Sequence, residues 1–89
     1  MVGPAMGLPT EPVTLSAGQV AELNTRLAEM RHDINGHLSV IVAALELIRH
    51  KPDAAQRLLA SLNEQPAKIS ESIKKFSTEC ERALGITKP

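Results

Sequence analysis

Arg31-His32-Asp33-Ile34-Asn35-Gly36-His37-Leu38-Ser39-Val40-Ile41 passes from a polar, histidine-bearing segment straight into an apolar block. Around it, apolar side chains recur at Val20, Leu23, Leu27, Met30, Ile34, Ile41, Ala44 and Ile48. Steps of three and four in alternation mark a heptad seam on an α-helix, and His37 fills the one gap in it. The spacing predicts one long helix. Placing Val20, Leu27, Ile34, Ile41 and Ile48 at heptad position a puts Leu23, Met30, His37 and Ala44 at d, and His32 at f, opposite the seam. His32 is therefore expected in solvent and His37 in the core. The helical neighbours of His32 are Ala28, Glu29, Asn35 and Gly36, mostly small or short, so a large partner has room to approach the imidazole.

Upstream, residues 1–15 contain Pro4, Pro9 and Pro12 with Gly3 and Gly7 and read as a flexible leader. Ser16 followed by Gln19 is a capping-box pair, and Leu15 can staple onto Val20, so the helix should begin near Ala17. It should run to about His50, roughly 50 Å at 1.5 Å per residue, until Lys51-Pro52-Asp53 makes a turn. A second helix is expected with its seam at Ala55, Leu59, Leu62, Pro66, Ile69, Ile73, Phe76, Cys80 and Ala83, closed by Gly85 and Ile86 in a Schellman cap. The domain then spans 16–86, with 87–89 as a tail. An antiparallel hairpin pairs Ala44 with Leu59, His37 with Pro66, Ile34 with Ile69, and Leu27 with Phe76. Because Pro66 has no N–H, the Leu62 carbonyl loses its helical partner; a kink is expected there, with His37 donating a ring N–H to that carbonyl.

The seam's flanks change character along the first helix. Before and within the motif they are Asn24, Arg26, Arg31 and Asp33; after it they are Leu38, Val40, Leu45 and Leu47. A two-helix hairpin cannot cover so wide an apolar face, and leaving four such side chains in water costs about 1.5 to 3 kcal/mol each. The fold class is all-α: an antiparallel two-helix hairpin dimerising into a four-helix bundle, its interface centred on Leu38, Ile41, Leu45 and Ile48. Association also suits an 89-residue chain, which is marginal as a lone domain.

Composition narrows the partners. With Phe76 as the sole aromatic residue, stacking on bases has almost nothing to use. Ten basic and ten acidic residues cancel, which argues against a nucleic acid or a membrane surface held by charge. Cys80 is alone, so no internal disulfide forms and a reducing, cytoplasmic setting is expected. No apolar run approaches the roughly 20 residues of a membrane span, and the start lacks a signal-peptide pattern.

The segment His32-Asp33-Ile34-Asn35-Gly36-His37-Leu38, followed by Ser39-Val40-Ile41, resembles the H-box of two-component sensor histidine kinases, found in their dimerisation and histidine-phosphotransfer domain. The resemblance spans roughly Val20 to Leu84. It implies that His32 accepts phosphate originating from ATP, that Asp33 is its general base, and that the phosphoryl group passes to an aspartate of a response-regulator receiver domain. It also implies auxiliary positions at Asn35, Gly36 and His37. Many family members carry Thr or Asn where Gly36 stands, to position water for dephosphorylating the partner. A second branch uses Asp followed four residues later by Gln or His, the spacing of Asp33 and His37, so phosphatase activity stays open.

Chemically, neutral imidazole is nucleophilic near neutral pH, and an adjacent carboxylate can hold its tautomer or take its proton. The chain has no Gly-rich phosphate loop, so it is not a complete kinase and is expected to bind no cofactor itself. An ATP-binding kinase domain must act in cis or in trans, or else phosphate arrives from a receiver-domain aspartate. Glu29-Met30-Arg31-His32 also spells the Glu-x-x-His of di-iron bundles, but both side chains would have to face inward and the heptad phase puts them at c and f; no metal site is expected. The alternative from another class is a non-catalytic helical dimerisation or interaction module in which His32 has no role.

Overall fold

The computed structural model describes residues 7–86, which contain two long helices and no strand: α1 (Ala17–His50), a short 3-10 turn (Pro52–Ala54), and α2 (Ala55–Leu84). Side-chain chemistry sets each boundary. At the start of α1 the Ser16 hydroxyl accepts from the Gln19 N–H at 3.1 Å, and the Gln19 side-chain oxygen accepts from the Ser16 N–H at 2.8 Å. This reciprocal pair satisfies two otherwise orphaned donors. α1 closes with the Lys51 N–H donating to the Leu47 carbonyl at 2.7 Å, after which Pro52 opens the turn. α2 ends where Gly85 adopts φ 72°, a left-handed conformation that glycine reaches without a Cβ penalty. The N–H groups of Gly85 and Ile86 then reach the carbonyls of Arg82 and Glu81, at 3.4 and 2.8 Å, completing a Schellman motif. Residues 7–15 of the expected leader carry no helix; residues 1–6 and the tail 87–89 lie outside the described residues.

The hairpin seam on α1 has the expected phase. Leu23, Leu27, Met30, Ile34, His37, Ile41 and Ile48 are half-buried and Ala44 is buried, while Val20, at the open end, is exposed. On α2 three of the nine expected seam positions are exposed. Ala55, Leu62, Ile69, Phe76, Cys80 and Ala83 are half-buried as read, but Leu59, Pro66 and Ile73 are exposed, and Leu58, Gln65, Ser72 and Glu79 take seam places at the alternate spacing. Both sets obey three-and-four spacing, so spacing alone does not choose between them. Polar chemistry across the seam favours the second: Gln65 answers His37, and Glu79 reaches Arg26 at 4.0 Å. Helix α2 runs on through Pro66, whose ring lies exposed rather than opposite His37.

With Leu62, Ile69, Phe76 and Ala83 at position a of α2 and Gln65, Ser72 and Glu79 at d, the two edges of the hairpin differ sharply. In an antiparallel pair the e positions of the two helices share one edge and the g positions share the other. The e edge carries Leu38 and Leu45 of α1 with Leu59, Pro66, Ile73 and Cys80 of α2. The g edge carries Arg26 and Asp33 of α1 with Lys68, Lys75 and Arg82 of α2, and only near the turn does it present Val40 and Leu47.

The structure is one layer thick, measuring 58 × 34 × 13 Å, and its smallest dimension is about that of a single helix. A single layer has little interior. Among the described residues only Ala44, Ala54 and Gln65 are buried, and no large side chain is fully so. On the e edge Leu38, Leu45, Leu59 and Ile73 remain 46%, 54%, 50% and 47% exposed, with Val42 beside them at 60%. Ile41 and Ile48 lie half-buried in the intrachain seam. No helix among the described residues is long and apolar enough to cross a membrane.

Candidate functional site

His32, Asp33, Asn35 and Gly36 all sit on exposed positions in the middle of α1. Successive helical residues are turned by about 100°, so the adjacent His32 and Asp33 do not share a face. His32 projects away from α2. Asp33 stands at g and lines a groove between the helices with Arg26 and Glu29 of α1 and Ser72, Lys75 and Glu79 of α2, floored by Met30 and Phe76.

Most charges in this groove are committed to one another. The Arg26 guanidinium meets Glu29 at 3.2 Å, Glu22 at 3.4 Å and Glu79 at 4.0 Å. The hydrogen bond that Arg26 donates to Glu29, followed by the nearby Glu22 charge, holds Arg26 above its ordinary pKa, so it is a fixed cation. Glu79 also receives Arg82 at 3.3 Å. Because the Glu29 carboxylate is engaged with Arg26 and both Glu29 and His32 are exposed, the inward pair that a di-iron motif needs is not formed. No group of three potential metal-ligating side chains occurs among the described residues.

The second histidine has a different environment. His37 is half-buried, and its Nδ1 lies 3.0 Å from the Gln65 side-chain oxygen, while the Gln65 amide nitrogen donates to the Ser61 carbonyl at 3.1 Å. The expected bond to the Leu62 carbonyl is thus replaced by a side-chain relay. With the amide nitrogen used on Ser61, the oxygen facing His37 can only accept, so Nδ1 must carry the proton. Gln65 is 4% exposed and is the one buried polar residue among those described; no buried side-chain polar atom there lacks a partner.

Gly36 lies one turn beyond His32, and a Cβ built there would meet nothing within 4 Å. The hairpin's own packing therefore does not require glycine at that position. Taken together, the exposed face offers an unhindered imidazole next in sequence to a carboxylate, beside a mixed-charge groove whose far wall is α2. Sequence reading missed Gln65, because its place depends on the phase of α2; a polar residue at seam spacing from Leu62 and Ile69 was the available signal. No known protein family, no curated protein and no solved structure matches this chain.

Proposed function

We propose that this chain is the histidine phosphoacceptor and dimerisation module of a two-component phosphorelay. The contrast between His32 and His37 carries the reading. His37 is turned into the seam and held by Gln65, whereas His32 is exposed, flanked by Asp33, Asn35 and Gly36 and followed immediately by the acidic residue that the H-box resemblance requires. In the proposed reaction the lone pair of one His32 ring nitrogen forms an N–P bond as the bond from phosphorus to the donor's leaving group breaks. The proton on the other ring nitrogen then passes to Asp33 or to solvent. The group leaves by the reverse chemistry, to a receiver-domain aspartate. ATP enters through a separate ATP-binding domain, in cis or in trans.

Two features bear on hydrolysis. Gly36 has no side chain, and the Nδ1 of His37 is engaged, so neither is presented to position water. This favours transfer over dephosphorylation. The exposed e edge supports the second half of the proposal, a homodimer closed into a four-helix bundle. The same edge also suits the runner-up, a purely structural dimerisation module. Labelling with phosphoramidate, a small donor that needs no partner protein, separates the two. Acid-labile, base-stable phosphate on His32, lost in His32→Gln with helicity intact, is the expected result. Absence of label, or its location on His37 or His50, would refute the phosphoacceptor role.

A further inference from the structure

Two seams compete for the inner side of α2. Leu62, Ile69, Phe76 and Ala83 belong to both, and the choice is whether Leu58, Gln65, Ser72 and Glu79 or Leu59, Pro66, Ile73 and Cys80 fill the remaining places. Heptad places stand about 50° apart around a helix, so a turn of that size exchanges one set for the other while the shared positions stay inward. Apolar burial favours the second set, yet Leu59 and Ile73 stay 50% and 47% exposed. A polar restraint opposes it. We infer, on the homodimer reading proposed above, that the His37–Gln65 pair locks α2 in the observed phase and so keeps the hairpin able to dimerise, without itself touching the second copy.

The restraint acts through His37. Its Nδ1–H donates to the Gln65 side-chain oxygen at 3.0 Å, and the Gln65 amide nitrogen is held at the other end by the Ser61 carbonyl at 3.1 Å. A turn of α2 by one heptad place would carry Gln65 out to the g edge, where water can satisfy its amide, and would bring Pro66 across from His37. Proline has no side-chain acceptor, so the half-buried Nδ1–H would be orphaned. The 4.0 Å contact of Glu79 with Arg26 would open too, but its side chains are 31% and 36% exposed, which makes it the weaker restraint. In the observed phase Leu59 and Ile73 stand beside Leu38 and Leu45 on the e edge, as the proposed dimer needs. In the turned phase the seam would absorb them. A polar seam residue that selects one packing over another at a cost in stability is an attested device of helical assemblies.

The test is the dimer dissociation constant of the intact chain, measured by sedimentation equilibrium, with circular dichroism to verify helicity. His37→Leu, and the more flexible His37→Met, remove the group that opposes the turn. Although each makes the seam more apolar, each should weaken the dimer roughly tenfold, the factor matching one buried polar group left without its partner. His37→Gln, whose amide can donate to the Gln65 oxygen, should match wild type. So should the double variant His37→Leu/Gln65→Leu, which fills the observed seam with apolar side chains. Thiol labelling reads the phase itself: in a Cys80→Ser background, Ser72→Cys should react faster once His37→Leu is added, and Ile69→Cys, inward in both phases, should not. Unchanged dissociation in His37→Leu and His37→Met, equal weakening in the double variant, or equal acceleration at both labelled positions would overturn the lock and leave the dimer standing. A monomeric wild type would instead refute the dimer reading, and the lock with it, while phosphoramidate labelling still decides the role of His32.

Discussion

Replacing Gln65 by Leu isolates the contribution of the polar relay at the centre of the seam. The substitution keeps approximate volume and removes two hydrogen bonds, one to the His37 Nδ1 at 3.0 Å and one to the Ser61 carbonyl at 3.1 Å. Ser61 tolerates the loss, since its carbonyl also accepts the helical N–H four residues on. His37 does not, because its N–H is left facing an apolar side chain. An unsatisfied buried polar group costs about 1–3 kcal/mol, and the half-buried position of His37 places Gln65→Leu near the lower end, about 1–1.5 kcal/mol. His37→Leu orphans the amide oxygen of a residue only 4% exposed and should cost more, about 2 kcal/mol. The double variant removes both partners together. It should recover most of the loss, giving a coupling of about 1–2 kcal/mol in a double-mutant cycle. Urea unfolding followed by circular dichroism, at one fixed protein concentration so that association does not distort the comparison, measures all four species. Additive losses, or a neutral His37→Leu, would show that the relay contributes nothing to the fold.

The two edges make a second test. Leu45 and Leu47 are 54% and 50% exposed, but Leu45 lies on the apolar e edge and Leu47 on the g edge, so Leu45→Glu should give a monomer in sedimentation equilibrium while Leu47→Glu stays dimeric; equal effects would refute the edge assignment. At Gly36, where an added Cβ meets nothing within 4 Å, Gly36→Ala should stabilise the helix by about 1 kcal/mol and raise the thermal midpoint by a few degrees, and a fall in that midpoint would refute the open-space reading.

Helix α1 was legible because its apolar positions and its charges agree on one phase: Ile34, Ile41 and Ile48 mark the seam while Glu22, Glu29 and Glu46 stand away from it. Its caps were legible for the same local reason, since Ser16 with Gln19 and Gly85 with Ile86 carry their own chemistry. Helix α2 was only half legible. Leu58 against Leu59, Gln65 against Pro66, Ser72 against Ile73 and Glu79 against Cys80 are competing choices at nearly the same spacing; a rule that sends apolar residues inward selects the exposed member at Pro66 and Ile73 and does not decide between Leu58 and Leu59. The correct member is set by what stands across the seam, Arg26 for Glu79 and His37 for Gln65, which periodicity within one helix does not reveal. The exposure of His32 followed from α1 alone and could be read. The groove beside Asp33 could not, because Lys75 reaches the g edge only in the phase that brings Gln65 inward.

That phase also couples the two halves of the proposed function. Had Leu59, Pro66 and Ile73 filled the seam, the hairpin would have buried its own apolar surface more completely and kept less reason to associate. Turning Gln65, Ser72 and Glu79 inward leaves those apolar side chains together on the e edge, beside Leu38 and Leu45. A second copy applied to that edge buries them and supplies the missing second layer, which domains of packed helices need. The g edge then remains in water. It is the edge that carries Asp33, so the polar seam residues that make the hairpin incomplete alone also keep the proposed general base clear of the dimer interface.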